Sequence, residues 1–243
     1  MITLIGTGHV FNLKQGILKI FDERQPDVVC VELDKQRYKS LMLRESNPDE
    51  YEKARKNAPI IYKLLARFQD SMAKEYGVEA GDEMITAINY ARTHQLPVGF
   101  IDMNAQYMFA KMLKKMSFSE KIKIMLTGFS AFFISKKHVE KELSKFENNF
   151  DDYISQVGDK FPTIKRVLID ERNNHMVKQI IKANEEYEKV IVVIGDGHVP
   201  GMSDLLKSKN VEFETIRLNE LRKQSEMKSD TSSASFSLEY KEI

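Results

Sequence analysis

The chain has 243 residues, of which 30% are charged and 42% hydrophobic, and its formal net charge is +1. This length suits one domain with a substantial core, and the balanced charge gives no indication of a nucleic-acid partner. A single cysteine, Cys30, excludes a disulfide within the chain and favours a reducing compartment. The N-terminus lacks the basic lead of a secretory signal and no apolar stretch reaches the ~20 residues of a membrane span, so we predict a cytoplasmic protein.

Short β-rich runs alternate with longer helical patterns along the chain. This alternation predicts an α/β fold with a mostly parallel central sheet flanked by helices. The predicted strands are 2–6, 27–32, 97–102, 189–195 and 211–217. The first four are almost continuously apolar, which is typical of strands buried on both faces, and Cys30 lies within one of them. We therefore interpret Cys30 as a core residue.

Helical patterns fill the gaps between the predicted strands. They cover 13–24, 34–43, a segment from 60 to 68, and a segment from 84 to 91. Pro26 ends the first of these helices, and Pro48, followed by two acidic residues, marks a further helix start.

Residues 104–157 form a long stretch with helical character and no strand signal, which we interpret as an insertion into a single domain over 1–222. Between 111 and 145 the stretch holds nine lysines and three glutamates, with aromatic residues interleaved. One interpretation is a helical hairpin whose lysines face water. The other is a contact surface for a partner helix, a second copy of the chain or a membrane. The polar tail 223–243 is predicted to be flexible, with a terminal edge strand.

Two of the predicted strands end in the same way. "GTGHV" and "GDGHV" each place Gly-x-Gly before a histidine, His9 in one case and His198 in the other. Ligands bind beyond the carboxyl ends of parallel strands, so the two imidazoles can converge if their strands are neighbours. Gly8 and Gly197 allow sharp turns and close approach, and we predict that they contact substrate. Neither copy completes G-x-G-x-x-G, so a nucleotide-phosphate turn is disfavoured.

Four acidic residues occupy places where carboxylates often do chemistry. Glu32 and Asp102 close predicted strands, and Glu83 and Glu171 stand near predicted helix starts. Such carboxylates can bind a metal ion, hold a histidine tautomer or act as a base on water. The alternative is structural, because the first turn of a helix favours acids in any case.

Two arginines accompany these acids. Arg37 stands in "ELDKQRY" and Arg172 in "ERNNH". A guanidinium can orient carboxylates or clamp an anionic substrate or oxyanion. Each arginine can equally form a structural ion pair, and for Arg172 the adjacent Asp170 and Glu171 make that alternative about even. His175, four residues after Glu171, is not assigned as a ligand.

An ordered set of motifs covers roughly residues 1–220. The set is "GTGHV", "VELDKQRY", "GDEMITAINYAR", "FIDMN", "DERNNHM" and "VIGDGHVPGM". It resembles the TraB/PrgY family, within the larger group that includes Tiki-type metalloproteases, erythromycin-esterase-like enzymes and haem-binding ChaN proteins. The resemblance implies an α/β fold with paired Gly-x-x-His motifs and glutamates around one cleft.

The resemblance also implies a range of chemistry. Tiki-type members are divalent-metal-dependent peptidases, erythromycin-esterase-like members use a histidine-activated water, and pheromone-shutdown members act on or sequester a small peptide. We carry over eight residues by motif match, and among them the predicted metal ligands are His9 and His198, with one or both of Glu32 and Glu171. The catalytic residues are Glu83, Arg37, Arg172 and Asp102. The implied cofactor is a divalent ion, with Mn, Co, Zn and Fe all compatible with imidazole and carboxylate ligands.

Three hypotheses follow for the function. The first is a metal-dependent peptidase, in which an ion held by the paired histidines activates water and a carboxylate such as Glu83 serves as base. The second is a metal-free hydrolase, in which a histidine and a glutamate activate water directly. The third is a module that captures a peptide or haem without turnover, with the lysine-rich 111–145 stretch as its contact surface.

Overall fold

A computed structural model describes residues 1–8, 11–56, 81–131 and 158–226. Within these ranges, five strands form one sheet in which every neighbouring pair is parallel. The strands are β1 (Ile2–Thr7), β2 (Val28–Val31), β3 (Val98–Phe100), β4 (Val190–Gly195) and β5 (Phe213–Ile216). The five predicted strands and the α/β fold class are confirmed.

In the described part of the chain, helices connect the strands and cover both faces of the sheet. Those before β4 are α1 (Lys14–Arg24), α2 (Lys35–Ser46), α3 (Pro48–Lys56), α4 (Asp82–Thr93), α5 (Ala105–Lys115), α6 (Phe118–Ala131), α7 (Pro162–Lys165) and α8 (Glu171–Glu186). Those after β4 are α9 (Val199–Ser208) and α10 (Leu218–Glu226). A π-helical turn, Arg166–Asp170, joins α7 to α8, and a 3₁₀ turn, Asp196–His198, leads into α9.

The side chains of the sheet alternate between two apolar layers. One layer packs on α1 and α4, and it contains Ile5, Val29, Val31, Ile191 and Val193. The opposite layer packs on α8 and α9, and it contains Leu4, Cys30, Val190, Val192 and Ile194. Cys30 is 1% exposed, and burial raises the pKa of its thiol to about 12. The thiol is therefore part of the core.

The strand order is β3-β2-β4-β1-β5, so the two strands that end in Gly-x-Gly-His lie side by side. They run in register, with Thr7 paired to Gly195. A Cβ on Gly6 would lie 2.1 Å from a carboxylate oxygen of Asp196, so the first glycine of one segment makes room for the acid of the other. Arg217 holds that acid through two contacts of 2.8 Å. Packing therefore explains one glycine of the repeated motif, because a side chain at Gly6 would collide with Asp196.

The insertion 104–157 is described as far as residue 131, and this part is helical, as predicted. Its lysines at 114, 115, 121 and 123 are exposed, as are Tyr107 (60%) and Phe118 (79%). The lysines therefore face water as the first interpretation requires, while the exposed aromatic rings suit a contact surface. Both interpretations stay predictions. Across the described residues, no helix combines the length and apolar character that a membrane crossing requires.

The start of the predicted flexible tail is helical. α10 continues to Glu226, because Leu221 is fully buried against α1 and the hydroxyl of Ser225 accepts the backbone N–H of Gly16 at 3.2 Å. The first four residues of the predicted tail are therefore the end of a helix packed on α1, and the flexibility of the tail stays a prediction. The predicted edge strand at the C-terminus and the helical pattern from 60 to 68 lie outside the described residues.

A buried glutamate ties the insertion to the segment before α8. Glu120, 4% exposed, accepts the backbone N–H of Thr163 at 2.8 Å and the backbone N–H and hydroxyl of Ser117 at 2.9 and 3.0 Å. Burial opposes ionisation of this carboxyl. The hydrogen bonds from Thr163 and Ser117 outweigh it and lower the pKa of Glu120 from 4.5 to about 2.

This arrangement predicts an acid-sensitive contribution to stability. The folded-state pKa of Glu120 lies below its unfolded value, so the ionised carboxylate stabilises the fold above about pH 4.5 and the contribution is lost as the pH falls toward 2. In urea titrations, the difference in unfolding free energy between wild type and Glu120→Gln should be constant near neutral pH and shrink over that window. The matched control is Glu185→Gln, an exposed glutamate on α8. A difference independent of pH would contradict the prediction.

Candidate active site

Side chains from three neighbouring strand ends meet at the carboxyl edge of the sheet. Asp102 follows β3, Glu32 follows β2 and His198 follows β4, in the order in which the strands lie side by side. Arg172 reaches the same place from the first turn of α8. All four side chains are largely buried, with exposures of 2%, 11%, 8% and 12% in that order. We call these four residues the charged cluster.

The guanidinium of Arg172 is the centre of the charged cluster. Its Nε and Nη2 donate to the two carboxylate oxygens of Asp102 at 2.9 and 2.8 Å. Nη2 also donates to Oε1 of Glu32, and Nη1 lies 3.0 Å from Nε2 of His198. This planar group presents donors in a fixed fork, which a lysine could not reproduce. One side chain therefore binds groups from three strand ends.

A local irregularity of the helix accompanies this placement. The π-helical turn Arg166–Asp170 immediately precedes Glu171 and Arg172, and Nη1 of Arg172 also donates to the carbonyl of Leu168 at 3.3 Å. A π-turn shifts the helical phase of the residues that follow it, and such turns are frequent at functional sites.

Glu32 is held as a carboxylate. Its second oxygen, Oε2, accepts the backbone N–H of Gly195 at 2.7 Å. Burial opposes ionisation, but the charges of His198 and Arg172, the Gly195 hydrogen bond and the charge of Arg37 outweigh it, and the pKa of Glu32 lies well below its usual range. A carboxylate with so low a pKa is a weak base near neutral pH.

Basic groups surround the two carboxylates of the site. Burial alone would lower the pKa of Arg172, but Glu32 and Asp102 outweigh it and raise the pKa of this guanidinium above its ordinary value. Arg37, on α2, lies 3.5 Å from Asp102 and its side chain is 40% exposed. The two carboxylates thus lie against two guanidinium groups, one buried and one 40% exposed, and against the imidazole of His198.

His198 is bound on both sides of its ring. Nε2 lies 3.0 Å from the guanidinium of Arg172 and 3.4 Å from Oε1 of Glu32. Nδ1 lies 2.6 Å from the amide oxygen of Asn173, which is 3% exposed. A neutral ring can accept from Arg172 at Nε2, whereas an imidazolium would donate to Glu32 there.

The predicted metal ligands are only partly brought together. Glu32 and His198 are adjacent, whereas the carboxylate of Glu171 lies 2.6 Å from Lys111 and 3.3 Å from Lys115. Hydrogen bonds from these lysines lower the pKa of Glu171. His9 lies outside the described residues. Its role and that of Glu171 as ligands stay predictions.

The residues that the structure describes do not by themselves fit a divalent ion. Within them, no group of three or more His, Cys, Asp or Glu side chains is placed to hold a metal ion. The oxygens of Asp102, one oxygen of Glu32 and Nε2 of His198 all lie against the guanidinium of Arg172 instead. A metal ion bound to these groups would have to displace Arg172 from them.

Glu83 is buried at the start of α4 and lines a different space. This cavity of about 620 Å³ lies between α1 and α4, and the charged cluster contributes none of its lining residues. The proposal that Glu83 acts as a base on water stays a prediction.

The two glycines predicted to contact substrate lie at the ends of the paired strands. Gly8 follows β1, and a Cβ there would lie 3.0 Å from Leu218 and 3.2 Å from Phe11. Gly197 lies in the 3₁₀ turn that carries His198. Contacts of either glycine with a substrate stay predictions.

Sequence reasoning missed Asn173 and the backbone N–H of Gly195. A signal for Asn173 is present in the sequence, because Asn173, Met176, Val177 and Ile180 are the buried positions of α8. An amide on an otherwise apolar helix face needs a buried partner. No comparable signal marks the N–H of Gly195, since its partner depends on which strand lies beside β4.

The fold and the charged cluster define a three-layer α/β protein with ionisable groups at the carboxyl edge of a parallel sheet, where proteins of this architecture bind ligands. The pattern of the TraB/PrgY/gumN family matches residues 1–215. The chain belongs to this family, as its motifs indicated.

Relatives are found in archaea and in mammals. An uncharacterized protein of Methanocaldococcus jannaschii is 30% identical over 211 residues, which are 85% of this chain and 53% of that protein. The TraB domain-containing proteins of mouse and human are each 25% identical over 230 residues, which are 82% of this chain and 61% of each relative. The chain therefore spans little more than half the length of these relatives.

Proposed function

We propose that this chain is a hydrolase in which His198 takes a proton from water within the charged cluster. The observation that carries the proposal is the placement of an imidazole beside a carboxylate and a guanidinium at the ligand-binding edge of the sheet. Histidine is the side chain whose ordinary pKa best suits proton transfer near neutral pH. Glu32, with its lowered pKa, is better suited to stabilise the imidazolium that forms.

The two arginines have different roles in this proposal. Arg172 is bound by Glu32 and Asp102, and its Nη1 lies against Nε2 of His198. For His198 to take a proton from water, Nη1 must move off Nε2 so that a water can occupy its place. Arg37 lies 3.5 Å from Asp102 and is 40% exposed, so its guanidinium can approach a substrate. Negative charge develops on the carbonyl oxygen when water attacks an amide or ester, and a cation aimed at that oxygen lowers the barrier. A peptide or a small ester is therefore the proposed substrate.

A metal-dependent peptidase is the second candidate. It is favoured by the pairing of β1 with β4, because the segment that carries His9 in the sequence begins beside the strand that carries His198. His198 and Glu32 would hold the ion together with His9, once Arg172 released them. A bound divalent ion lowers the pKa of its water and polarises a carbonyl.

A chelation experiment separates these candidates. The purified chain is assayed on a panel of fluorogenic peptides and esters, after exhaustive chelation and after addition of Mn, Co, Zn or Fe. Metal content is measured by mass spectrometry in wild type, His9→Ala and His198→Ala. We expect hydrolysis to survive chelation. Activity lost on chelation, restored by one cation and matched by metal loss in both variants would establish the metal-dependent peptidase instead.

Capture without turnover is the remaining outcome. Tight binding of a peptide or of haem, with no hydrolysis at any supplement, would overturn both enzymatic candidates. The lysine-rich 111–145 stretch would then be the first surface to alter. Contacts of this stretch with a membrane or a second copy of the chain, and a cytoplasmic location, stay predictions.

A further inference from the structure

We propose that Asn173 is a positioning residue of the site, whose amide oxygen holds His198 in the tautomer that carries its proton on Nδ1. The purpose of this role rests on the proposed function, but the contacts that define the role do not. The same tautomer would be needed if Nε2 were a metal ligand, since a ligating histidine donates its other ring N–H to a fixed acceptor.

One contact at each ring nitrogen of His198 agrees with a proton on Nδ1. A guanidinium has no acceptor, so Nε2 of a neutral ring can only accept from Nη1 of Arg172, 3.0 Å away. When Nε2 accepts from Arg172, the proton of the neutral ring is on Nδ1, which lies 2.6 Å from the amide oxygen of Asn173. A carbonyl oxygen is the acceptor that such an N–H requires.

Asn173 is held in place by its surroundings. Its side chain is 3% exposed, and it follows Arg172 directly in the first turn of α8. A Cβ on Gly201 would lie 2.5 Å from the amide nitrogen of Asn173, so α9 has a glycine where the amide is seated. α8 thus carries two adjacent residues that bind the two nitrogens of His198.

The competing tautomer also has a partner, which makes the choice measurable. With the proton on Nε2, the ring could donate to Oε1 of Glu32, 3.4 Å away. Removing the amide oxygen should therefore shift the neutral ring toward the Nε2–H form. In the Nε2–H form the lone pair of the ring is on Nδ1, which faces away from the charged cluster. His198 could then not accept a proton within the cluster.

The test is two-bond ¹H–¹⁵N correlation NMR of the full chain with labelled histidine, which distinguishes a protonated ring nitrogen from a bare one. Comparison with His198→Gln assigns the signal of His198 among the five histidines. We expect the Nδ1–H tautomer in wild type and in Asn174→Leu, a matched control at the exposed neighbouring position. We expect loss of that tautomer in Asn173→Leu.

A second variant keeps the proposal testable if Asn173→Leu does not fold. Gly201→Ala keeps the chemistry of Asn173 but displaces its amide, and alanine is otherwise favourable in a helix. We expect it to reduce the Nδ1–H population as well. An Nε2–H tautomer in wild type, or an unchanged Nδ1–H tautomer in Asn173→Leu, would overturn the proposal. These readouts need no substrate, so they stand whether or not the chain proves to be a hydrolase.

Discussion

Replacing Arg172 with methionine is expected to lower the free energy of unfolding by about 3–5 kcal/mol, the cost typical of removing one partner from a buried ion pair. The physical reason is the charge that remains. Glu32 and Asp102 are 11% and 2% exposed, and without the guanidinium they would carry two like charges in a poorly hydrated place. Urea denaturation followed by circular dichroism measures the loss.

Two further variants separate charge from packing. The triple variant Glu32→Gln, Asp102→Asn, Arg172→Met removes both negative charges, and we expect it to recover part of the lost stability. Arg172→Lys keeps the charge but not the fork of donors, so an intermediate loss is expected. The loss in Arg172→Met should also shrink at acid pH, where the unpaired carboxylates take up protons. A loss of stability that is the same at all pH values and unrelieved in the triple variant would contradict the charge-based account.

Replacing His198 with glutamine is expected to lower kcat/KM for the best hydrolysed substrate by about 10²- to 10⁴-fold, the usual contribution of a general base. Glutamine keeps polar atoms and a similar size, but it cannot take the proton from water. The expected effect is therefore on the chemical step, with a smaller change in substrate binding.

The control for this prediction is His94→Gln. His94 is exposed at the end of α4, stacked on Tyr90, and the substitution should leave hydrolysis unchanged. Thermal unfolding of both variants shows whether the fold survives. Wild-type rates in His198→Gln, in a sample that remains folded, would remove His198 from the reaction and leave the charged cluster as a structural tie.

The charged cluster shows that neighbours in the sequence do not predict the ion-pair partners of Arg172. Arg172 stands beside Asp170 and Glu171, and these neighbours make a structural ion pair about as plausible as a role in the site. It pairs instead with Glu32 and Asp102, which are 140 and 70 residues away in the chain. Glu171, the neighbour expected at the site, pairs with Lys111 and Lys115. Adjacent residues on a helix point in different directions, so sequence proximity does not select partners.

The sequence by itself determined the α/β class, the five strands and the family. Continuous apolar runs and helical spacing are local properties, and burial on both faces of a parallel sheet follows directly from them. The sequence also marked most of the chemistry-bearing side chains, because strand ends in such a fold lie at one edge.

Only the tertiary structure decided which of these side chains meet. The strand order β3-β2-β4-β1-β5 places Asp102, Glu32 and His198 in a row, and the turn before α8 aims Arg172 and Asn173 at them. These contacts join residues far apart in the chain, and they depend on the order of the strands and the phase of one helix. Neither property is encoded in any short stretch of sequence.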